Sequence, residues 1–134
     1  MKKFFLLFFA FLGISQWASS QLVNTQANID TTVVITFEKT IHDYGTIKQG
    51  GDGQCEFPFT NTGTNPLVLS NVRSSCGCTV AEWPKEPILP GKSSSIKVRY
   101  DTNRVGTIAK SITVTSNAKN SSVKLTIKGN VVAK

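Results

Sequence analysis

The chain has 134 residues and carries 15 Lys and Arg against 8 Asp and Glu, a formal net charge of +7. The charge is scattered rather than gathered into a basic run or helix, which excludes the electrostatic footprint of a nucleic-acid binder. A single histidine, and acidic residues with no dyad or calcium-loop spacing, leave little material for a triad or a carboxylate site.

Residues 1–20 have the three parts of a secretory signal peptide. Lys2 and Lys3 supply the positive start, residues 4–14 form an almost unbroken apolar run, and Ala18-Ser19-Ser20 places small side chains before an expected cleavage at Gln21. The apolar run is shorter than the roughly 20 residues a spanning helix needs. The mature chain is therefore expected to be exported, periplasmic or secreted, with no transmembrane anchor. No cysteine follows the run closely, which argues against a lipid anchor. Without Lys2 and Lys3, 13 basic residues face 8 acidic ones, a balance of +5. Lysines such as Lys97, Lys110, Lys124 and Lys128 then read as solvated strand faces that discourage edge-to-edge pairing.

Residues 21–32 are polar and without periodicity, and are expected to be a flexible leader. Residues 33–134 are expected to form one domain, since a chain of this size buries roughly two thirds of its unfolded surface. Val33, Ile35 and Phe37 alternate with Val34, Thr36 and Glu38, the period of a strand. Ile41, Tyr44 and Ile47 follow around a bend at Asp43-Tyr44-Gly45. Cys55, Phe57 and Phe59 share one face of the next strand. Asn61-Thr62-Gly63-Thr64-Asn65-Pro66 is dense in turn formers, after which Leu67, Leu69 and Val72 resume a strand.

Beyond the cysteine pair at 76 and 78, Trp83-Pro84 and Pro87 interrupt regular structure. Leu89-Pro90-Gly91 makes a turn, because proline presets the backbone and glycine accepts a positive dihedral. Three alternating runs close the chain: Ile96, Val98 and Tyr100; Ile108, Ile112 and Val114; and Val123, Leu125 and Ile127. Short strands broken by turns at near-regular intervals predict an all-β, antiparallel β-sandwich of about seven to eight strands. A closed barrel is the alternative. The expected core is Phe37, Phe57, Phe59, Leu69, Ile96, Val98, Tyr100, Ile112, Val114, Leu125 and Ile127.

Four runs carry a resemblance. His42-Asp43-Tyr44-Gly45-Thr46-Ile47, Phe57-x-Phe59-Thr60-Asn61-Thr62-Gly63, Ser75-Cys76-Gly77-Cys78-Thr79 and Leu89-Pro90-Gly91-Lys92-Ser93 together resemble the bacterial family called domain of unknown function 1573. The resemblance spans nearly the whole mature chain. It implies an immunoglobulin-like sandwich, related to the major-sperm-protein and pilus-chaperone type, in an exported protein. It implies no activity.

Three cysteines leave one over, whichever two pair. On an extended strand Cys76 and Cys78 would have alpha carbons about 6.6 Å apart, near the roughly 6.8 Å limit for a disulfide. A direct bond therefore needs a bend at Gly77, and the small ring would be easily reduced. Pairing Cys55 with Cys76 or Cys78 instead closes a loop of about 20 residues, worth on the order of 3 kcal/mol. A metal is the third option: Cys55, Cys76, Cys78 and His42 supply enough donors for zinc or copper(I), though without zinc-knuckle spacing.

His42 and Asp43 point to opposite faces of a strand and so do not form an oriented base. Tyr44 is either a recognition aromatic or a plug at one end of the sandwich. Trp83 either covers the core edge or forms an exposed contact. Asn120-Ser121-Ser122 matches a glycosylation acceptor, a pattern common by chance. The function expected is a non-enzymatic envelope module that binds or scaffolds a protein partner, with no cofactor and no nucleic acid. Tyr44 and Trp83 are its candidate contact residues. The rival is a thiol protein, carrying metal or exchanging disulfides through Cys76 and Cys78. A carbohydrate-binding accessory domain is a third and more distant possibility, resting on Tyr44, Tyr100 and Trp83 as stacking residues.

Overall fold

The computed structural model describes residue 13 and residues 32–134. The expected signal peptide and leader lie outside the described residues, apart from Gly13 and Thr32. Eight strands follow in chain order: β1 (Ile35–Phe37), β2 (Ile41–Lys48), β3 (Gln54–Asn61), β4 (Leu69–Ser74), β5 (Thr79–Glu82), β6 (Ser93–Tyr100), β7 (Gly106–Ser116) and β8 (Ser122–Val132). Two four-stranded sheets result, with orders β1-β3-β6-β5 and β2-β8-β7-β4. The layers are those of a sandwich, not a closed barrel.

All strand neighbours are antiparallel except β2 and β8, which run parallel. The exception arises because the chain changes sheets between β1 and β2. β1 pairs with β3 in the first sheet, and β2 then covers the edge of β8 in the second. The bend expected at Asp43-Tyr44-Gly45 is present as an irregularity between Asp43 and Thr46 inside one continuous strand. It is accommodated by Gly129 on β8, whose φ is 152° and where a Cβ would stand 2.8 Å from the Gly45 carbonyl oxygen. An alanine there would carry both strain and a clash.

Alternation puts the inward set where the pattern places it. Phe57, Phe59, Ile96, Ile112, Leu125 and Ile127 are fully buried, and Leu69, Val98, Tyr100 and Val114 nearly so. Each contributes roughly 1.5–3 kcal/mol by leaving water. Phe37 is the exception among the expected core residues: it is half-buried and packs obliquely on Phe59, with ring centroids 5.6 Å apart. Ile35, Leu67, Val72, Ile108 and Val131, with Cys55, Cys78 and Ala118, complete the core.

Two polar residues hold the ends of the sandwich. Asn61, the last residue of β3, is fully buried. Its amide nitrogen donates to the carbonyls of Asn65 at 2.7 Å and Ile88 at 2.8 Å, while its side-chain oxygen accepts from Gly63 N–H at 3.0 Å. One side chain thus fixes the 61–65 turn to the loop that precedes β6. Leu67 and Ile88 exchange both backbone bonds beside it, at 2.9 and 2.8 Å. Asn120, between β7 and β8, accepts from Ile35 N–H at 3.3 Å and donates to the Ile35 carbonyl at 2.9 Å. The asparagine of the glycosylation-like pattern is therefore a strap between the sheets.

Replacing Asn61 by Ala leaves the partly buried Asn65 carbonyl and Gly63 N–H without their partner, and takes from the Ile88 carbonyl one of its two donors, the Leu67 N–H remaining. The expected loss is about 2–4 kcal/mol of unfolding free energy, since each orphaned buried group costs roughly 1–3 kcal/mol and neighbours relax in part. Urea denaturation of Asn61→Ala against the parent chain measures it.

Candidate functional site

The chain crosses from the second sheet to the first between β4 and β5, and both clustered cysteines lie in that crossover. Ser74 Oγ is 2.8 Å from the carbonyl oxygens of both Cys76 and Thr79. Ser75 is tied to β7, its N–H donating to the Ser111 carbonyl at 2.9 Å and its Oγ accepting from Ser111 N–H at 3.2 Å. Asp101 N–H donates to the Cys78 carbonyl at 2.9 Å. Within this frame Cys76 and Cys78 form a disulfide, with alpha carbons 5.3 Å apart. Cys78 is buried and Cys76 is half-buried.

The bend that brings the two together does not depend on glycine. Gly77 has no positive φ, and a Cβ there would meet nothing within 4 Å. Pairing through Cys55 is ruled out by topology. Cys55 lies on β3 and Cys78 leads into β5, with β6 between them. Two strand spacings amount to about 9–10 Å, beyond the roughly 6.8 Å a disulfide spans. Bond formation across a three-residue loop removes little chain entropy, on the order of 1–2 kcal/mol.

Cys55 is a buried free thiol with a different neighbour. The Tyr44 hydroxyl donates to the Gly53 carbonyl at 2.6 Å and lies 3.4 Å from Cys55 Sγ. The same carbonyl accepts from Tyr100 N–H at 2.9 Å, so both lone pairs are used. Gly53 is compulsory, because a Cβ would collide with the Tyr100 carbonyl oxygen. Burial pushes the Cys55 thiol up from its ordinary pKa, and burial, then the contact with Cys55, pushes the Tyr44 phenol up as well. Tyr44 thus ties β2 to β3 across the two sheets. His42 stacks edge-on against it at 4.6 Å between centroids, with Lys39 Nζ 3.5 Å from its Nδ1. Burial and Lys39 hold its pKa below the ordinary value.

Outside the crossover, three adjoining depressions run along β5 and β6. The first, about 400 Å³, lies beside Gly77 and Cys78, against Asp52 and Asp101. It shares Gln54, Val80 and Arg99 with a second of about 280 Å³. That one shares Glu82 and Lys97 with a third of about 410 Å³, walled by Trp83 and Pro84. The trough therefore leads from the disulfide to Trp83. Its charges alternate, because Glu56 and Glu82 flank Lys97 across the sheet while Gln54 and Val80 flank Arg99. Val80 is half exposed at its centre. Trp83 is half-buried against the core, with Lys85 Nζ 3.0 Å above its ring centroid.

Of the candidate residues, the structure brings Cys78 and Trp83 to one trough, with Cys76 bonded to Cys78 at its end, and places Tyr44 and Cys55 together inside the sandwich. Among the described residues, no three His, Cys, Asp or Glu side chains converge on a metal position. Arg99, Lys97 and Val80 were not singled out by sequence. The first two read as a solvated face of β6, and β5 was hidden between the cysteines and Trp83-Pro84. No helix among the described residues is long and apolar enough to cross a membrane.

The sequence matches, over residues 35–131, the model of the family described as protein of unknown function (DUF1573), and the chain belongs to that family. No curated protein matches it. Among solved structures it is similar to a protein of unknown function from Porphyromonas gingivalis, at 21% identity and a TM-score of 0.67, covering 76% of this chain and 48% of that one. The chain thus spans about half the length of that protein. It is also similar to PapD-like domain 7 of human CEP192, at 10% identity and a TM-score of 0.62, covering 78% of this chain and 87% of that one. A third likeness is to the CsuC–CsuE chaperone–tip adhesion subunit pre-assembly complex of Acinetobacter baumannii, at 13% identity and a TM-score of 0.50, covering 77% and 57%. At these identities the likeness is one of fold, an immunoglobulin-like, PapD-like sandwich.

The buried Tyr44–Cys55 contact has a pH signature. Unfolded, the two groups titrate near 9.0 and 10.0, whereas folded they hold their protons to higher pH. Unfolding at alkaline pH therefore releases protons, and stability falls as pH rises above about 9. Urea midpoints measured from about pH 8 to pH 10.5 are expected to decline, with a shallower decline in Tyr44→Phe. A flat profile in the parent chain would contradict the contact.

Proposed function

We propose that this member of the family is a non-enzymatic binding module exported to the bacterial envelope, and that it holds an extended segment of a protein partner along β5. The observation that carries this reading is the continuity of the trough beside an edge strand. β5 ends the order of its sheet, so among the described residues one flank of its backbone has no strand neighbour. An edge of this kind accepts an extended peptide through main-chain hydrogen bonds, while alternate side chains settle into neighbouring depressions. Val80 offers an apolar contact at the centre, and Arg99, Lys97 and Glu82 offer charge to either side. The opposite edge, β1, is already engaged by Asn120.

Export is supported by the sequence of residues 1–20 and by the presence of a disulfide, which persists in oxidising compartments. The non-enzymatic part is supported by the use made of the one histidine, which packs on Tyr44 and pairs with Lys39. The Acinetobacter structure of similar fold is a complex of a chaperone with an adhesion subunit, which is in keeping with a protein partner.

A photo-cross-linking residue placed at Val80 is expected to capture one discrete envelope protein in cells. The same residue at Ile41, equally exposed on β2, is expected to capture none. Ala81→Pro removes a backbone donor from the open flank of β5, because the Asp101 N–H bond to the Cys78 carbonyl puts Val80, not Ala81, in the bonded register with β6, and a cross-linker at Trp83 in that background is expected to lose the product. Capture at Ile41 alone, or equal capture at both sites, would overturn the assignment of β5.

A further inference from the structure

The disulfide sits where the fold has little need of it. The crossover is already held by the paired contacts of Ser74 Oγ, by Ser75 with Ser111, and by Asp101 with Cys78. A three-residue loop gains little from closure. The two sulfurs are also unlike each other. Cys76 is partly open, whereas Cys78 is buried with its Sγ 3.8 Å from the Thr79 hydroxyl. The Cys78 N–H donates to Cys76 Sγ at 3.3 Å. A depression opens directly beside Gly77 and Cys78, with Arg99 on its wall.

We propose that Cys76–Cys78 is an exchange-active disulfide that accepts two electrons from a protein dithiol presented at the disulfide end of the trough. One thiol of the incoming protein ionises, and its thiolate attacks Cys76 Sγ, which belongs to the less buried of the two residues. The bond between Cys76 and Cys78 breaks, and a mixed disulfide forms at Cys76. Cys78 leaves as a thiolate beside the Thr79 hydroxyl and takes up the proton that the attacking thiol released. The second thiol of the partner then ionises and attacks the partner's own sulfur in the mixed disulfide. Cys76 departs as a thiolate, stabilised by the Cys78 N–H, and takes the second proton. The partner gains a disulfide, and Cys76 and Cys78 end as two thiols, with two electrons and two protons transferred. Access and leaving-group stabilisation set which sulfur is attacked in such exchanges. Cys55 takes no part, because it is enclosed by Tyr44 and the core.

The inference stands on the crossover and does not require a peptide along the rest of β5. Reduced glutathione is the first probe, applied to the full chain in native buffer, followed by alkylation and mass mapping. Cys76 and Cys78 are expected to become alkylated while Cys55 stays unlabelled, and oxidised glutathione is expected to restore the bond. Next, Cys78→Ser and Cys76→Ser are each treated with oxidised glutathione. Cys76 in the first is expected to form its mixed disulfide at least about tenfold faster than Cys78 in the second. Circular dichroism of both variants reports whether either has lost the fold, and the parent-chain reduction needs neither. A bond that opens only in denaturant, or equal rates in the two variants, would overturn the proposal. Either result would leave cross-linking at Val80 unaffected.

Discussion

Ser74 Oγ lies 2.8 Å from the carbonyl oxygens of both Cys76 and Thr79, and around that hydroxyl the chain passes from one sheet to the other. A sandwich cannot form from period-two strands alone. At each change of sheet the backbone leaves its ladder, and its polar groups need other partners. Here the passage takes only the residues between the end of β4 and the start of β5. The one Ser74 hydroxyl proton is shared between the Cys76 and Thr79 carbonyls, Ser111 serves Ser75, and Asp101 serves Cys78. β5 follows at once, its register against β6 running from Thr79–Tyr100 to Glu82–Lys97. The trough beside β5 is a consequence of where this turn sets the strand down.

The three side chains that tie the rest of the sandwich work by the same rule. Asn61 satisfies the loop before β6, Asn120 joins β1 to the β7–β8 connection, and Tyr44 reaches from β2 to the Gly53 carbonyl on the approach to β3. Each is a polar group placed where a sheet ends. Apolar burial supplies the driving force, and these few bonds decide how the layers are joined. The disulfide is superimposed on a turn already determined in this way, which is why it is free to serve chemistry.

Much of this was legible in the sequence, for physical reasons. Alternation in the segments of β3, β6, β7 and β8 identifies their inward faces, because one face must leave water. Ten of the eleven expected core residues are buried, and Phe37 falls short because β1 is a three-residue edge strand. β5 was missed because four residues between a cysteine turn and Trp83-Pro84 are too few to display a period. Leu67 belongs not to β4 but to an isolated bridge with Ile88, a contact that only tertiary structure creates. Asn61 carries the signature of a turn former and Asn120 that of a glycosylation acceptor, and nothing in their neighbourhood reveals that one is a buried hub and the other a strap. At the candidate site, the pair Cys76 and Cys78 was apparent. The choice of pairing was not, since the exclusion of Cys55 follows from β6 lying between β3 and β5. Val80, Lys97 and Arg99 become neighbours through that same strand order.

The hydrogen-bonded crossover, rather than the sulfur bridge, holds the two layers in place. Hydrogen exchange followed residue by residue, on the chain with Cys76 and Cys78 oxidised and then reduced, tests it most directly. Equal protection is expected at Phe57, Ile96, Ile112 and Leu125 in both forms, with any change confined to the stretch from Ser74 to Glu82. Loss of protection through both sheets on reduction would show that the bridge carries the fold, and would contradict it.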